Sequence, residues 1–165
     1  MKPWTDVYIG LGSNLQQPLE QAQQAIKELS EHKYLRHTKA SPLYRSKPVG
    51  PQDQPDYVNG VVYSQTQLGP HDLLDLLQSV EQDHGRERKR HWGERTLDLD
   101  LLFYGAAQIR TPRLTVPHPF ILDRSFVLYP LSDLDPSLLL PNGIMLKQYL
   151  SKLDFDLQVI PTESL

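Results

Sequence analysis

The stretch Arg95-Thr96-Leu97-Asp98-Leu99-Asp100-Leu101 alternates polar and apolar residues with period two. That is the pattern of a strand with one buried face, so it commits the chain to a sheet lying against a core. Thr96, Asp98 and Asp100 share one face of the strand; Leu97, Leu99 and Leu101 share the other. The two aspartates are then roughly 6.5–7 Å apart at their Cα atoms. Their oxygens can converge on a pair of hard cations, which two-metal sites hold about 3.5–4 Å apart. Directly upstream runs Gly85-Arg86-Glu87-Arg88-Lys89-Arg90-His91-Trp92-Gly93-Glu94-Arg95, with five of the seventeen lysines and arginines. Carboxylates that can hold metal, preceded by a run of arginines, are the parts needed to grip a polyphosphate. Taken singly, an Asp-x-Asp on an alternating strand is usually a solvated sheet face, and a basic run is usually a solvated loop. Together they favour function, because like carboxylates at neighbouring same-face positions repel unless a cation or arginines stand by.

The chain has 165 residues, which suits one domain able to bury about two-thirds of its unfolded surface. Its 39% hydrophobic and 22% charged content fit a globular protein rather than a disordered one. A net charge of −3 argues against general nucleic-acid binding, since the basic residues are local. Without cysteine there are no disulfides and no thiolate metal ligands. Met1-Lys2-Pro3-Trp4-Thr5-Asp6 leads straight into a short apolar strand, so no signal peptide is expected. No apolar run reaches the length of a membrane span. The default is a cytoplasmic enzyme or binding module.

Val7-Tyr8-Ile9-Gly10-Leu11 reads as a buried strand, and Gly12-Ser13-Asn14 as the turn that ends it. Pro18 opens a helix with an apolar stripe of Leu19, Ala22, Ala25, Ile26 and Leu29. Residues 34–40 read as a second strand. Residues 41–55 hold four prolines and are too long for an ordinary turn, which predicts a functional loop. A third strand covers 57–64. Pro70 starts a second helix through Leu73, Leu74, Leu77 and Val80, with Gly85 as its stop. With the aspartate strand the order is β-α-β-β-α-β, the ferredoxin-like arrangement. The fold class is therefore α+β, with one mainly antiparallel sheet covered by helices. The remainder predicts a hairpin around Gly105, a Pro117-His118-Pro119 bracket and extra C-terminal helices near 124–131 and 145–153.

Nucleotide-binding glycine motifs are missing. There is no G-x-x-x-x-G-K-[ST], and Gly10-Leu11-Gly12-Ser13-Asn14-Leu15 lacks the third glycine of a dinucleotide fingerprint. Phosphate must then be held by side chains and metal: arginine for its bidentate fork, and Mg²⁺ for its preference for oxygen ligands shared with substrate phosphates. His118 is either a rigid turn residue or a phosphate ligand. Tyr57 and Asn59, on one strand face, could stack on and hydrogen-bond a flat heterocycle, or simply line a half-buried sheet. Arg113 and Arg124 are ordinary surface residues by default. Trp92, a large ring in a polar loop, suggests something to pack on.

Several ordered stretches now coincide with one family. They are Gly10-Leu11-Gly12-Ser13-Asn14-Leu15, Leu43-Tyr44-Arg45-Ser46, Gly50-Pro51-Gln52-Asp53-Gln54-Pro55-Asp56-Tyr57-Val58-Asn59, Glu81, Gly85-Arg86, Arg88, Trp92-Gly93-Glu94-Arg95-Thr96-Leu97-Asp98-Leu99-Asp100 and Leu114-Thr115-Val116-Pro117-His118-Pro119. Over nearly its whole length the chain resembles the 6-hydroxymethyl-7,8-dihydropterin pyrophosphokinases of folate biosynthesis. The resemblance implies that ATP donates its terminal diphosphate to the pterin hydroxymethyl group and leaves as AMP. It implies two Mg²⁺ ions on Asp98 and Asp100, with Arg86 and Arg95 as further catalytic residues. Phosphate contacts would come from Arg86, Arg95, Arg113, His118 and Arg124. Gln78, Glu81, Arg88, Trp92 and Thr115 would complete the ATP site. The pterin would lie between Tyr57 and Phe126, its edge read by Asn59 and by the backbone around Ser46, Pro48 and Val49. The arginine loop is one residue shorter than in the best-known members. His91 stands where arginine is often found, and Glu94 replaces a common proline, which leaves the loop less rigid. The expected partners are ATP and the pterin, with no nucleic acid or membrane, and the chain is expected to be monomeric. Two other classes share these features: a different Mg-dependent phosphotransfer enzyme, and a non-catalytic nucleotide-binding ferredoxin-like module.

Overall fold

A computed structural model describes residues 2–15, 17–48, 52–84, 96–119 and 121–161. Strand β1 (Thr5–Ser13) is an interior strand of the sheet, and seven consecutive residues from Val7 to Ser13 are buried. Helix α1 (Pro18–Glu31) follows, then β2 (Leu35–Ala40), β3 (Tyr44–Ser46) and β4 (Tyr57–Thr66). Helix α2 (Pro70–Asp83) precedes β5 (Asp98–Tyr104), β6 (Ile109–Arg110) and β7 (Thr115–Val116). The chain continues with a 3-10 turn at Ile121–Asp123, α3 (Ser125–Leu134), α4 (Leu146–Leu150) and β8 (Gln158–Val159). The main sheet runs β5-β1-β4-β3-β8, with β2 also paired to β4, and each pairing is antiparallel. The predicted β-α-β-β-α-β order is present as β1-α1-β2-β4-α2-β5. Among the described residues no helix is long and apolar enough to cross a membrane.

Period-two alternation divides the sheet between two cores. Val7, Ile9, Leu11, Val58, Val62, Leu99 and Leu101 face Ala25, Leu29, Leu73 and Leu77 of α1 and α2. Tyr8, Val61, Leu102 and Phe103 face Val127, Leu128 and Leu131 of α3 and Leu146 of α4. Leu102 and Phe103 can share the second core because the register shifts there: Ile9 pairs with Leu101 and Tyr8 with Phe103. This bulge adds one residue to β5 and turns Phe103 to the α3 side, beside Leu102.

The structure departs from the sequence reading at short elements. The expected loop 41–55 contains β3, which pairs Tyr44, Arg45 and Ser46 with Asn59, Val58 and Tyr57. Pro42 and Pro48 flank those three residues without falling among them, so their amides stay free to pair. The hairpin lies beyond Gly105, where β6 meets β7; at Gly105 a turn is closed by Ala107 N–H donating to Tyr104 O at 3.0 Å, while Gly105 N–H donates to Asp6 O of β1 at 2.7 Å. The helix expected over 145–153 is confined to α4, and β8 is too short to leave a periodic signal.

Gly60 packs directly against Leu43 on the α1 side of the sheet. A Cβ there would lie 2.7 Å from Cδ2 of Leu43, a side chain only 1% exposed. Gly60→Ala should therefore cost about 1–3 kcal/mol through overpacking. Urea unfolding with an unchanged slope and a lowered midpoint is the expected result.

Candidate active site

Antiparallel pairing brings the end of β1 together with the starts of β4 and β5. The register sets Gly12 between Asn59 of β4 and Asp98 of β5, and pairs Gly10 with Asp100. Side chains in these rows point to the α3 side, but α3 does not cover this end of the sheet. A cleft results at this end of the sheet, open to solvent on one side. Its sheet wall carries Tyr57, Asn59, Asp98 and Asp100; Ser46 and Lys47 form one rim, and His118, Arg124 and Phe126 face them. Eight expected site residues thus come together around one space.

Glycine at position 12 is explained by close approach. A Cβ there would come within 3.1 Å of Asn59 Oδ1 and 3.6 Å of the Tyr57 ring. Gly10-Leu11-Gly12 is not a truncated phosphate cradle; its glycines keep open the space beside the aspartates. Asn59 is buried, and its Nδ2 donates to Ser46 Oγ at 2.5 Å, which fixes the amide with Oδ1 near Gly12.

Asp98 and Asp100 are half-buried on β5, an edge strand. The amide between them, Leu99 N–H, donates to Glu81 Oε2 of α2 at 2.8 Å. Glu81 is 3% exposed, so this carboxylate works from beneath the strand and does not line the cleft. Ser13 Oγ donates to Thr96 O at the start of the aspartate strand. Asn14 Nδ2 donates to Gln54 Oε1 at 3.0 Å and Pro55 O at 2.9 Å, which ties the end of β1 to the segment before β4.

His118 is anchored by its N–H to Leu102 O at 3.2 Å. Burial pushes its pKa below the usual histidine value, the charge of Arg124 adds to this, and Asp98 opposes it. The imidazole is therefore neutral at pH 7 and can offer a hydrogen bond, though not a full charge. Burial also lowers the Arg124 pKa, against the opposing pull of Asp100 and Asp98. Arg124 is thus, among the described residues, a cation that interacts with both carboxylates.

Other expected site residues lie elsewhere. Arg113 Nη2 pairs with Asp75 Oδ1 at 2.6 Å and donates to Gln78 Oε1 at 3.3 Å on the outer surface of α2. An exposed pair of this kind is worth about 0.2–1 kcal/mol, so Arg113 can exchange partners easily. Thr115 is exposed on β7, and Pro48 is buried just behind the Ser46 rim. Val49, Arg86, Arg88, Trp92 and Arg95 lie outside the described residues. Lys47 lines the cleft and had no counterpart among the expected residues; its one sequence signal is adjacency to Ser46.

The donor set fits Mg²⁺ in a particular way. Among the described residues no three His, Asp or Glu side chains form a cage. A pair of carboxylates with open space beside them instead suits Mg²⁺, which takes one or two carboxylates and fills its shell with water and substrate phosphates.

Residues 8–136 match the family described as 7,8-dihydro-6-hydroxymethylpterin-pyrophosphokinase. A 2-amino-4-hydroxy-6-hydroxymethyldihydropteridine pyrophosphokinase of Pseudomonas aeruginosa is 49% identical over 150 residues, covering 91% of this chain and 93% of that one. The Haemophilus influenzae protein of the same name is 51% identical over 136 residues, covering 82% and 85%. In fold, the chain is similar to the wild-type Plasmodium falciparum HPPK-DHPS crystallised with pteroate, with a TM-score of 0.71 at 14% identity. That match covers 92% of this chain but 43% of the Plasmodium chain, so the likeness concerns one part of a longer protein. The matched segment runs from β1 through α3 and so contains the aspartate strand, its glycine-faced partner and the residues opposite: the chain belongs to the 7,8-dihydro-6-hydroxymethylpterin-pyrophosphokinase family.

Proposed function

We propose that the chain, as a single domain, transfers the diphosphate of ATP to the hydroxymethyl group of 6-hydroxymethyl-7,8-dihydropterin and releases AMP, a step of folate synthesis. The observation that carries this reading is the row Asn59–Gly12–Asp98. It sets a heterocycle-reading amide and a metal-ready carboxylate on either side of a glycine, within one cleft. Asp98 and Asp100 would hold two Mg²⁺ ions, which offset charge on the α- and β-phosphates of ATP.

In this reading Tyr57 and Phe126 sandwich the pterin. Asn59, Ser46 and the backbone near Pro48 and Val49 hold its polar edge. The acceptor hydroxyl then points along the sheet towards the aspartates and attacks the β-phosphorus, and AMP leaves with the α-phosphate. Arg124 and neutral His118 meet phosphate oxygens from the facing wall. Gln78, Arg113 and Thr115 contact the nucleotide once Arg113 leaves Asp75, while Arg86, Arg88, Trp92 and Arg95 complete the site from the arginine loop. Arg86 and Arg95 stabilise the charge that develops during transfer. The protein acts as a monomer in the cytoplasm.

The test is an end-point assay with ATP, Mg²⁺ and 6-hydroxymethyl-7,8-dihydropterin. One AMP per pterin consumed is expected; ADP in its place indicates ordinary phosphotransfer and overturns the proposal. The edge-reading role is tested by Gly12→Ala, whose methyl group would press on Asn59 Oδ1. The pterin KM should rise about tenfold, the effect of misplacing one hydrogen bond, while the ATP KM stays within about twofold. Equal rises in both would show that Gly12 serves the strand and not the pterin.

A further inference from the structure

Arg124 and Phe126 line the cleft, and the residue between them, Ser125, does not. Ser125 is the first residue of α3, buried, and its Oγ donates to Asp156 Oδ1 at 2.5 Å, 31 positions along the chain. No side chain at the preceding position caps this helix. Asp156 thus supplies an acceptor at the N-terminal end of α3, where a carboxylate is also favoured by the helix dipole.

The same segment is fixed at the opposite wall. Val159 pairs with Tyr44 and Gln158 with Arg45 of β3, and Ile160 N–H donates to Leu43 O at 2.9 Å. The next residue of β3 is Ser46, the rim residue that accepts from Asn59. Phe155 stands edge-on to Tyr129 of α3, at 4.9 Å between centroids, and to Tyr44 of β3, at 6.4 Å. Tyr44 in turn donates its hydroxyl to Asp133 of α3. Residues 155–160 therefore strap the α3 wall, with Arg124 and Phe126, to the β3 wall, with Ser46.

We propose that Asp156 is a positioning residue for the acceptor subsite: through Ser125 it fixes the first turn of α3, and with it the gap between Phe126 and the Tyr57–Asn59 wall. The inference rests on the proposed placement of the pterin between Tyr57 and Phe126. Successive residues of a helix point about 100° apart, so any loosening of Ser125 swings both neighbours. Stacking on a flat ring tolerates little of that, and a displacement of about 1 Å is enough to lose binding.

The experiment compares the parent protein with Asp156→Ala, Ser125→Ala, the double variant and Asp156→Asn. Calorimetry measures a non-hydrolysable ATP analogue with Mg²⁺ alone, then 6-hydroxymethyl-7,8-dihydropterin added to that complex. Each alanine variant should weaken the pterin step about tenfold, the worth of one charge-assisted hydrogen bond. The double variant should be no worse than either single, because both remove the same bond. Asp156→Asn should keep most of the affinity, since its Oδ1 still accepts. Binding of the ATP analogue should stay within about twofold throughout. Equal weakening of both ligands, additive losses, or a lowered melting temperature with unchanged pterin binding each overturns the positioning role. If Asp156→Ala does not fold, Ser125→Ala, which deletes one oxygen, carries the same comparison. A parent protein that binds the ATP analogue but no pterin overturns the function reading itself, an outcome distinct from variants that match a pterin-binding parent.

Discussion

Asp98→Ala and Asp100→Ala should each abolish AMP formation, by about a thousandfold or more, without lowering the melting temperature measured in the absence of Mg²⁺. A bound metal supplies several kcal/mol to charge developing on phosphoryl oxygens, and about 4 kcal/mol is a thousandfold in rate. Both carboxylates are needed because they sit at alternate positions of one strand and share the same open space. In the absence of metal that arrangement is expected to cost stability, because like charges on one sheet face repel. Removing one carboxylate relieves it, and the glycines opposite mean that no packed cross-strand partner is lost. Scanning calorimetry in EDTA, beside an AMP assay in excess Mg²⁺, tests both halves. A fall beyond about 4 °C, roughly what 1 kcal/mol produces in a chain of this size, would make the pair structural rather than metal-binding.

The second large effect is expected at Glu81. Its carboxylate accepts the one backbone amide that lies between the two aspartates, on a strand that is at the sheet edge among the described residues. Glu81→Ala leaves that buried N–H without its acceptor and should cost about 1–3 kcal/mol. It should also reduce turnover, because the loosened strand carries Asp98 and Asp100. Glu81→Gln retains an acceptor oxygen and should keep stability within about 1 kcal/mol of the parent. Denaturant unfolding and AMP formation on both variants separate the two roles. A glutamine variant as stable as the parent yet inactive would show that the charge itself acts on the nucleotide, and the strand-bracing account would fail.

Glu81 also marks the limit of what local sequence pattern encodes. The alternation of residues 95–101 indicates which side chains share a face, since strand geometry is local and has period two. The helical stripes of α1 and α2 are local in the same sense, so the β-α-β-β-α-β order is legible in the amino-acid sequence. Register is not local. That Gly12 lies between Asn59 and Asp98 depends on two pairings across long stretches of chain, and from sequence alone the glycines look like a failed nucleotide motif. Strands β3 and β8 escape for a related reason: with three and two residues they are defined by their partners, not by any period. The resemblance brought Gln78, Arg113 and Thr115 to the nucleotide, yet here Arg113 is held by Asp75 and Gln78 on the surface of α2. Such a pairing follows from side-chain reach across two elements, which no pattern within either one encodes.

The position of β1 between β4 and β5 has a consequence for how the molecule is made. A ribosome delivers β1 early, yet the strand with the aspartates emerges only after α2 is complete. Until then β1 can pair with β4 along one edge while its other edge stays open, a row of unmatched amides and carbonyls that invites pairing with another nascent chain. The aspartate strand thus doubles as the piece that covers this edge of β1. Its arrival matches the open amides and carbonyls of β1 and assembles the chemistry in the same step. Pulse-labelling hydrogen exchange during refolding should record this as protection of β5 amides trailing that of β1 and β4. Simultaneous protection of all three strands would remove any stage at which the edge stands open.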